Sequence, residues 1–171
     1  MIRNDPPELV KITSSHSLEE IARDYNEAFR EGFNVSTEEI GDYLGVSDLW
    51  IARHLKEGVK YLIINAVARR ALATYGDKRF SQLYTYKKKI FHRRGWQTHL
   101  MQHSFIENED GSLIAATKLP TSLITCTEAA VKYNVTRKTV YNLLQGRATK
   151  YVVYGLKKYS TKEVELLLID M

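Results

Sequence analysis

A single cysteine, Cys126, excludes an internal disulfide and fits a reducing compartment. No apolar run approaches the roughly 18 residues a membrane-spanning helix needs. The opening MIRNDPPELV lacks the charged, apolar and small-residue order of a secretory signal, so a cytoplasmic protein without a membrane partner is expected. Chemistry-bearing motifs are missing too. There is no glycine-rich phosphate loop, no GxSxG, no metal-type cysteine pair and no convincing carboxylate pair, so neither an enzyme nor a cofactor is expected. His99 and His103 have a spacing that can clamp zinc, but no acid lies between them and no third ligand is apparent. They read as helix-surface histidines, and Cys126 as a buried thiol.

Acid is scarce in one place. Residues 59–104 hold 10 Lys/Arg against 1 Asp/Glu, whereas residues 1–58 hold 6 against 12 and residues 105–171 hold 9 against 7. The net charge of +5 is thus concentrated mid-chain, where neighbouring cations repel unless phosphates separate them. At 171 residues the chain is long enough for one domain or two small ones.

The segment TCTEAAVKYNVTRKTVYNLL predicts two helices hinged at a corner. Thr125 and Glu128 form a capping box, and Ala129, Ala130 and Tyr133 give a close-packing face. Asn134 suits the left-handed turn, Val135 plugs it and Thr136 caps the second helix. Val140, Leu143 and Leu144 would be buried, leaving Arg137, Lys138, Thr139, Tyr141 and Asn142 to reach phosphates and base edges. Upstream, STEEIGDYLGVSDLWIARHL repeats the plan at an offset of 89, which links Ser36 to Thr125, Glu39 to Glu128, Val46 to Val135 and Leu55 to Leu144. Two such segments in register indicate a duplicated helix-turn-helix.

The residues after each corner extend the parallel. KYVVYGLKKYSTKEVELLL predicts a hairpin about Gly155 and a helix capped by Ser160 and Glu163. Upstream, YTYKKKIFHRRGWQTHLMQH fills the same place, with Phe91 expected to enter a helix that holds Trp96 and Leu100. Leu100 and Leu168 differ by 68, so the first copy is longer by 21 residues between corner and final helix. The surplus reads as an enlarged basic wing with room for a helix of its own.

Residues 123–168 resemble the small winged helix-turn-helix domains of the excisionase and MerR-like group, through Glu128-Ala129-Ala130, Val135-Thr136 and Thr139-Val140-Tyr141. Residues 33–104 resemble them more loosely. The resemblance implies duplex DNA binding, the second helix in the major groove and the hairpin along the backbone. It assigns base reading to Arg137, Lys138, Thr139 and Asn142, and phosphate contact to Lys157 and Lys158. In the first copy Asp48, Leu49 and Trp50 stand where Arg137, Lys138 and Thr139 do.

The expected fold is mainly α with small β-hairpins, arranged as two tandem winged helix-turn-helix domains. Residues 1–104 would hold a leading helix, from Ser17 to about Gly32, and the first domain; residues 105–121 a linker or hairpin; residues 122–171 the second domain. The leading helix is expected to pack on the first corner, with dimerisation as its alternative role. The expected function is sequence-specific double-stranded DNA binding in a phage or plasmid context, as a transcriptional regulator or an excision, partition or replication accessory factor. The first copy would clamp backbone through Arg53, Arg69, Arg70, Lys87, Lys88, Lys89, Arg93 and Arg94. The alternative is a protein-interaction module docking on a host enzyme through the acidic N-terminal part. A homodimer stays open beside DNA as a partner.

Overall fold

Ser17 opens the first helix by accepting a hydrogen bond from the Glu20 amide, and Gly32, at φ 128°, closes it. A computed structural model describes residues 17–85 and 89–169 of the chain; Lys87 and Lys88 lie outside the described residues. The architecture is mixed α and β with small antiparallel sheets. The chain divides into two compact units, residues 1–99 and 100–171.

In the first unit, α1 (Leu18–Glu31) leads into β1 (Phe33–Ser36), then α2 (Thr37–Leu44) and α3 (Asp48–Leu55). Gly45 makes the corner between these helices at φ 67°, a left-handed conformation that a Cβ would strain. Next come β2 (Tyr61–Ile63), α4 (Ala66–Tyr75), a 3-10 turn (Lys78–Phe80), α5 (Ser81–Thr85), β3 (Lys89–His92) and α6 (Arg93–Gln102), in which the division between units falls. The sheet runs β1-β3-β2, so the segment with α4 and α5 is inserted between two paired strands.

Ile21, Ala22, Tyr25 and Phe29 form a buried apolar stripe on α1, with Leu18 partly buried, and this helix packs on α4. The expectation that it covers the first corner is corrected by this contact. Ala68, Ala71 and Leu72 give α4 an apolar face, and together with Leu62, Leu83, Tyr84 and Ile90 they bury Tyr25 and Phe29. Tyr25 donates its hydroxyl to the Ile63 carbonyl at 2.7 Å, satisfying a group whose burial pushes its pKa upward. Phe91 belongs to a strand, between Val35 and Tyr61, and α6 begins only at Arg93.

The second unit contains β4 (Ser104–Glu107), β5 (Leu113–Ala115), β6 (Leu123–Ile124), α7 (Cys126–Lys132), α8 (Arg137–Leu144), β7 (Lys150–Val153), β8 (Leu156–Ser160) and α9 (Thr161–Leu168). Its sheet order is β5-β4-β7-β8-β6. Tyr154 and Gly155, at φ 51° and 77°, make the two-residue turn between β7 and β8. The stretch expected as linker or hairpin is a hairpin, turned by Asp110, which accepts from the Ser112 amide and hydroxyl. Because β4 pairs with β7, that hairpin is part of the second unit, and the boundary lies upstream of the expected one.

The offset of 89 continues in the structure. Val46 and Val135 donate to the carbonyls of Gly41 and Ala130, and Val59 and Ala148 to those of Leu55 and Leu144, one offset of 89 apart throughout. Strand register agrees as well. Val35 pairs with Phe91 as Ile124 pairs with Tyr159, and Leu62 with Ile90 as Tyr151 with Lys158, the second partners differing by 68. The core of the second unit, Ile124, Ala129, Ala130, Val140, Leu144, Tyr159, Val164 and Leu168, has buried apolar counterparts everywhere except Gly41, which stands for Ala130. A Cβ at Gly41 would lie 3.0 Å from the Val46 carbonyl oxygen, so the corner tolerates only the smallest residues there.

Candidate nucleic-acid interface

Helix α8 exists because Thr136 caps it, accepting from the Thr139 amide at 3.1 Å, and because Val140 and Leu144 bury one side. The other side is solvent-facing: Arg137, Lys138, Thr139, Tyr141 and Asn142 are all exposed. Arg137 and Lys138 occupy the first turn, where the helix dipole already presents partial positive charge. Cations there are locally unfavourable by a few tenths of a kcal/mol, and an arriving phosphate reverses the sign. Helix α3 has the opposite first turn, with Asp48 in the favourable place.

The hairpin beside α8 separates the two expected phosphate contacts. Lys157 is exposed, whereas Lys158 is 4% exposed, with its ammonium 4.0 Å from Glu128. Successive strand residues point to opposite faces, so adjacent lysines in β8 cannot both face outward. Lys158 is therefore corrected to a buried cation whose pKa desolvation lowers.

Arg93 is corrected too. Its guanidinium donates to Asn34 Oδ1 at 2.6 Å, to the Asn34 carbonyl at 3.3 Å and to both Glu39 oxygens at 2.9 and 3.1 Å. Those bonds tie the start of α6 to β1 and α2, which makes Arg93 a brace of the fold. Of the other first-unit cations, Arg53, Arg70 and Arg94 are exposed while Arg69 and Lys89 are half-buried, and they sit on four different elements. Lys89 lies over the Tyr61 ring, 5.6 Å from its centroid. Asp77, the one acid of the basic stretch, is held by Arg79 at 2.7 Å, and that hydrogen bond pulls its carboxyl down to about 2.

His99 packs against Gly58, and the His103 ring stacks on Tyr154 at 4.9 Å. Among the described residues no group of three His, Cys, Asp or Glu is placed to hold a metal ion. No described helix is long and apolar enough to cross a membrane.

Residues beyond the sequence reading border α8. Lys150 lies 5.8 Å from the Tyr141 ring centroid and forms an ion pair with Glu107 at 3.0 Å. Arg147 is exposed in the turn between α8 and β7. A cleft of about 400 Å³ separates that turn from the β4–β5 hairpin, lined by Glu107, Glu109, Arg147 and Lys150 among others. The sequence signal for them is weak, because Glu107 belongs to an apparent linker and only strand register places it beside Lys150.

No family model matches the sequence, and no curated protein or solved structure is significantly similar to it.

Proposed function

We propose that the chain is a double-stranded DNA-binding protein built from two tandem winged helix-turn-helix units. The second reads bases through Arg137, Lys138, Thr139 and Asn142. The observation that carries this is α8 itself: an exposed row of cationic and hydrogen-bonding side chains, opposite a buried Val140 and Leu144. Lys157 on the adjacent hairpin supplies phosphate contact. The first unit holds neighbouring backbone through Arg53, Arg70, Lys89 and Arg94. A compact binder of this kind suits a phage or plasmid regulator, or an excision, partition or replication accessory factor, working in the cytoplasm. Two linked units raise each other's effective concentration on one duplex.

Mobility shifts across a salt series test the reading. Binding should weaken steeply with salt, and Arg137→Ala with Lys138→Ala should weaken it by about tenfold or more at moderate salt. Salt-insensitive binding, or binding unchanged by the double variant, would count against it.

A second reading rests on α3. Leu49 is 61% exposed, and Trp50 stacks on His54 with centroids 4.0 Å apart, next to Asp48. An acidic, apolar surface at the position of α8's cationic one suits a protein partner better than phosphate. That first-unit role is compatible with DNA binding by the second unit.

A further inference from the structure

The β4–β5 hairpin has no counterpart in the first unit's sheet, which stops at three strands among the described residues. What it brings to the second unit is a carboxylate. Glu107 pairs directly with Lys150 across β4 and β7, and two rungs further Phe105, Val152 and Lys157 align across β4, β7 and β8. Directly paired residues, and residues two apart along a strand, share a sheet face. Glu107, Lys150 and Lys157 therefore stand on the same face, while Lys158 falls on the other and is buried.

Distances agree with that placement. Glu107 reaches Lys150 at 3.0 Å with one oxygen and Lys157 at 3.9 Å with the other. The Lys150 hydrogen bond keeps the Glu107 carboxyl below its usual range. Lys150 also borders the Tyr141 ring, and Tyr141 is one helical turn from Arg137 and Lys138. The three charges thus continue the exposed side of α8 onto the sheet. At the first-unit position equivalent to Lys157, Lys89 lies over Tyr61 instead.

Two lysines sharing one carboxylate are half neutralised before any ligand arrives. The Lys157 ammonium, 65% exposed and 3.9 Å from Glu107, is held loosely and open to an incoming phosphate, whereas Lys150 and Glu107 are only 21% and 20% exposed, so a phosphate competes with the carboxylate for Lys150. The carboxylate stays beside the incoming phosphates and repels them.

We propose that Lys150 and Lys157 form a phosphate-binding ledge flanking α8, and that Glu107 is its positioning residue and built-in competitor, holding the two ammonium groups side by side while restraining affinity for DNA of any sequence. The inference rests on the DNA-binding reading. It assigns Lys150 a ligand role and makes the extra hairpin the device that favours specific over indiscriminate binding. Phosphate attraction is sequence-independent, so weakening it leaves base contacts by α8 to decide where the protein stays.

The test is fluorescence anisotropy of a labelled mixed-sequence duplex DNA, titrated with the full chain from low to physiological salt. Glu107→Gln should tighten binding by about three- to tenfold at low salt and steepen the log–log salt slope by roughly one, as for one more phosphate engaged. Lys150→Gln should weaken binding and make the slope shallower, and in the Glu107→Gln background it should remove most of the gain. If Glu107 were merely structural, its loss would lower the melting temperature and weaken binding. Weaker or unchanged binding by a folded Glu107→Gln variant overturns the proposal. Should that variant not fold, Lys150→Gln decides: an unchanged affinity and slope overturn the ledge. Arg137→Ala with Lys138→Ala, run in parallel, keeps the two ideas apart. Loss of binding there with no effect at Glu107 and Lys150 sinks the ledge but leaves the DNA reading, and no binding by the wild type at the lowest salt removes both.

Discussion

Adjacent lysines in β8 show how a one-residue step decides a role. Lys157 faces solvent; Lys158 is enclosed with Glu128 nearby at 4.0 Å. Enclosing an ammonium costs solvation that one distant carboxylate does not restore. Its pKa is lowered in the folded state, so the unfolded chain binds the proton more tightly and stability rises with pH toward the ordinary lysine range. Lys158→Met should accordingly be neutral to about 1 kcal/mol stabilising at pH 7, with the advantage shrinking as pH approaches about 10. Thermal melts of both proteins across that range check it; a clear loss of stability at pH 7 would mean that the ammonium has a structural job. Arg93 reads as a phosphate contact in sequence for a related reason. A cation's count carries no sign of its partner, and Asn34 and Glu39 lie 59 and 54 residues away.

At the scale of elements, the corners are legible because their determinants are local. Ser36, Ser47, Thr125 and Thr136 cap the helices as their spacing from Glu39, Trp50, Glu128 and Thr139 implies. The turn residues differ, Gly45 at φ 67° and Asn134 at φ 54°, and chemistry makes that difference measurable. Gly45→Ala should cost about 1 kcal/mol, the ordinary penalty of a left-handed alanine. Asn134→Gly should change stability by less than about 0.5 kcal/mol, since relief of strain offsets the added freedom of the unfolded chain. Denaturant melts read both, and equal effects at the two corners would contradict the shared geometry. Strands are less legible. Phe91 sits in KKKIFHRR, which alternates weakly, and its pairing with Val35 and Tyr61 depends on residues far away. The hairpin of β4 and β5 is one of two options that its residues allow, but its attachment to β7 depends on register that no local pattern encodes. Insertion of α4 and α5 is visible in sequence as the surplus of 21 residues, whereas the packing of α1 on α4 is not.

For the molecule as a whole, a repeated plan does not bring a repeated surface. Helices, caps and register repeat, yet Asp48, Leu49 and Trp50 replace Arg137, Lys138 and Thr139 at equivalent positions. Cores are under packing constraint and change slowly in kind; exposed helix faces are free to take another partner. The basic stretch of residues 59–104 reads differently in three dimensions from its count. Arg93 is committed to Glu39, Arg79 to Asp77, and Arg70, Lys89 and Arg94 lie on separate elements. On the proposed function this leaves the second unit as the principal source of sequence selectivity.

The position of the insertion sets how each sheet must assemble. Strands β7 and β8 are joined by Tyr154 and Gly155 alone, so they can zip from their own turn. Strands β2 and β3 meet only after residues 64–88 have been brought round, and that closure entropy is met before any pairing rewards it. Pulse-labelled hydrogen exchange during refolding should find the amides of Val153 and Leu156 protected ahead of those of Leu62 and Ile90. A reversed order would mean that α1 and α4 collapse early enough to bring their strands together first.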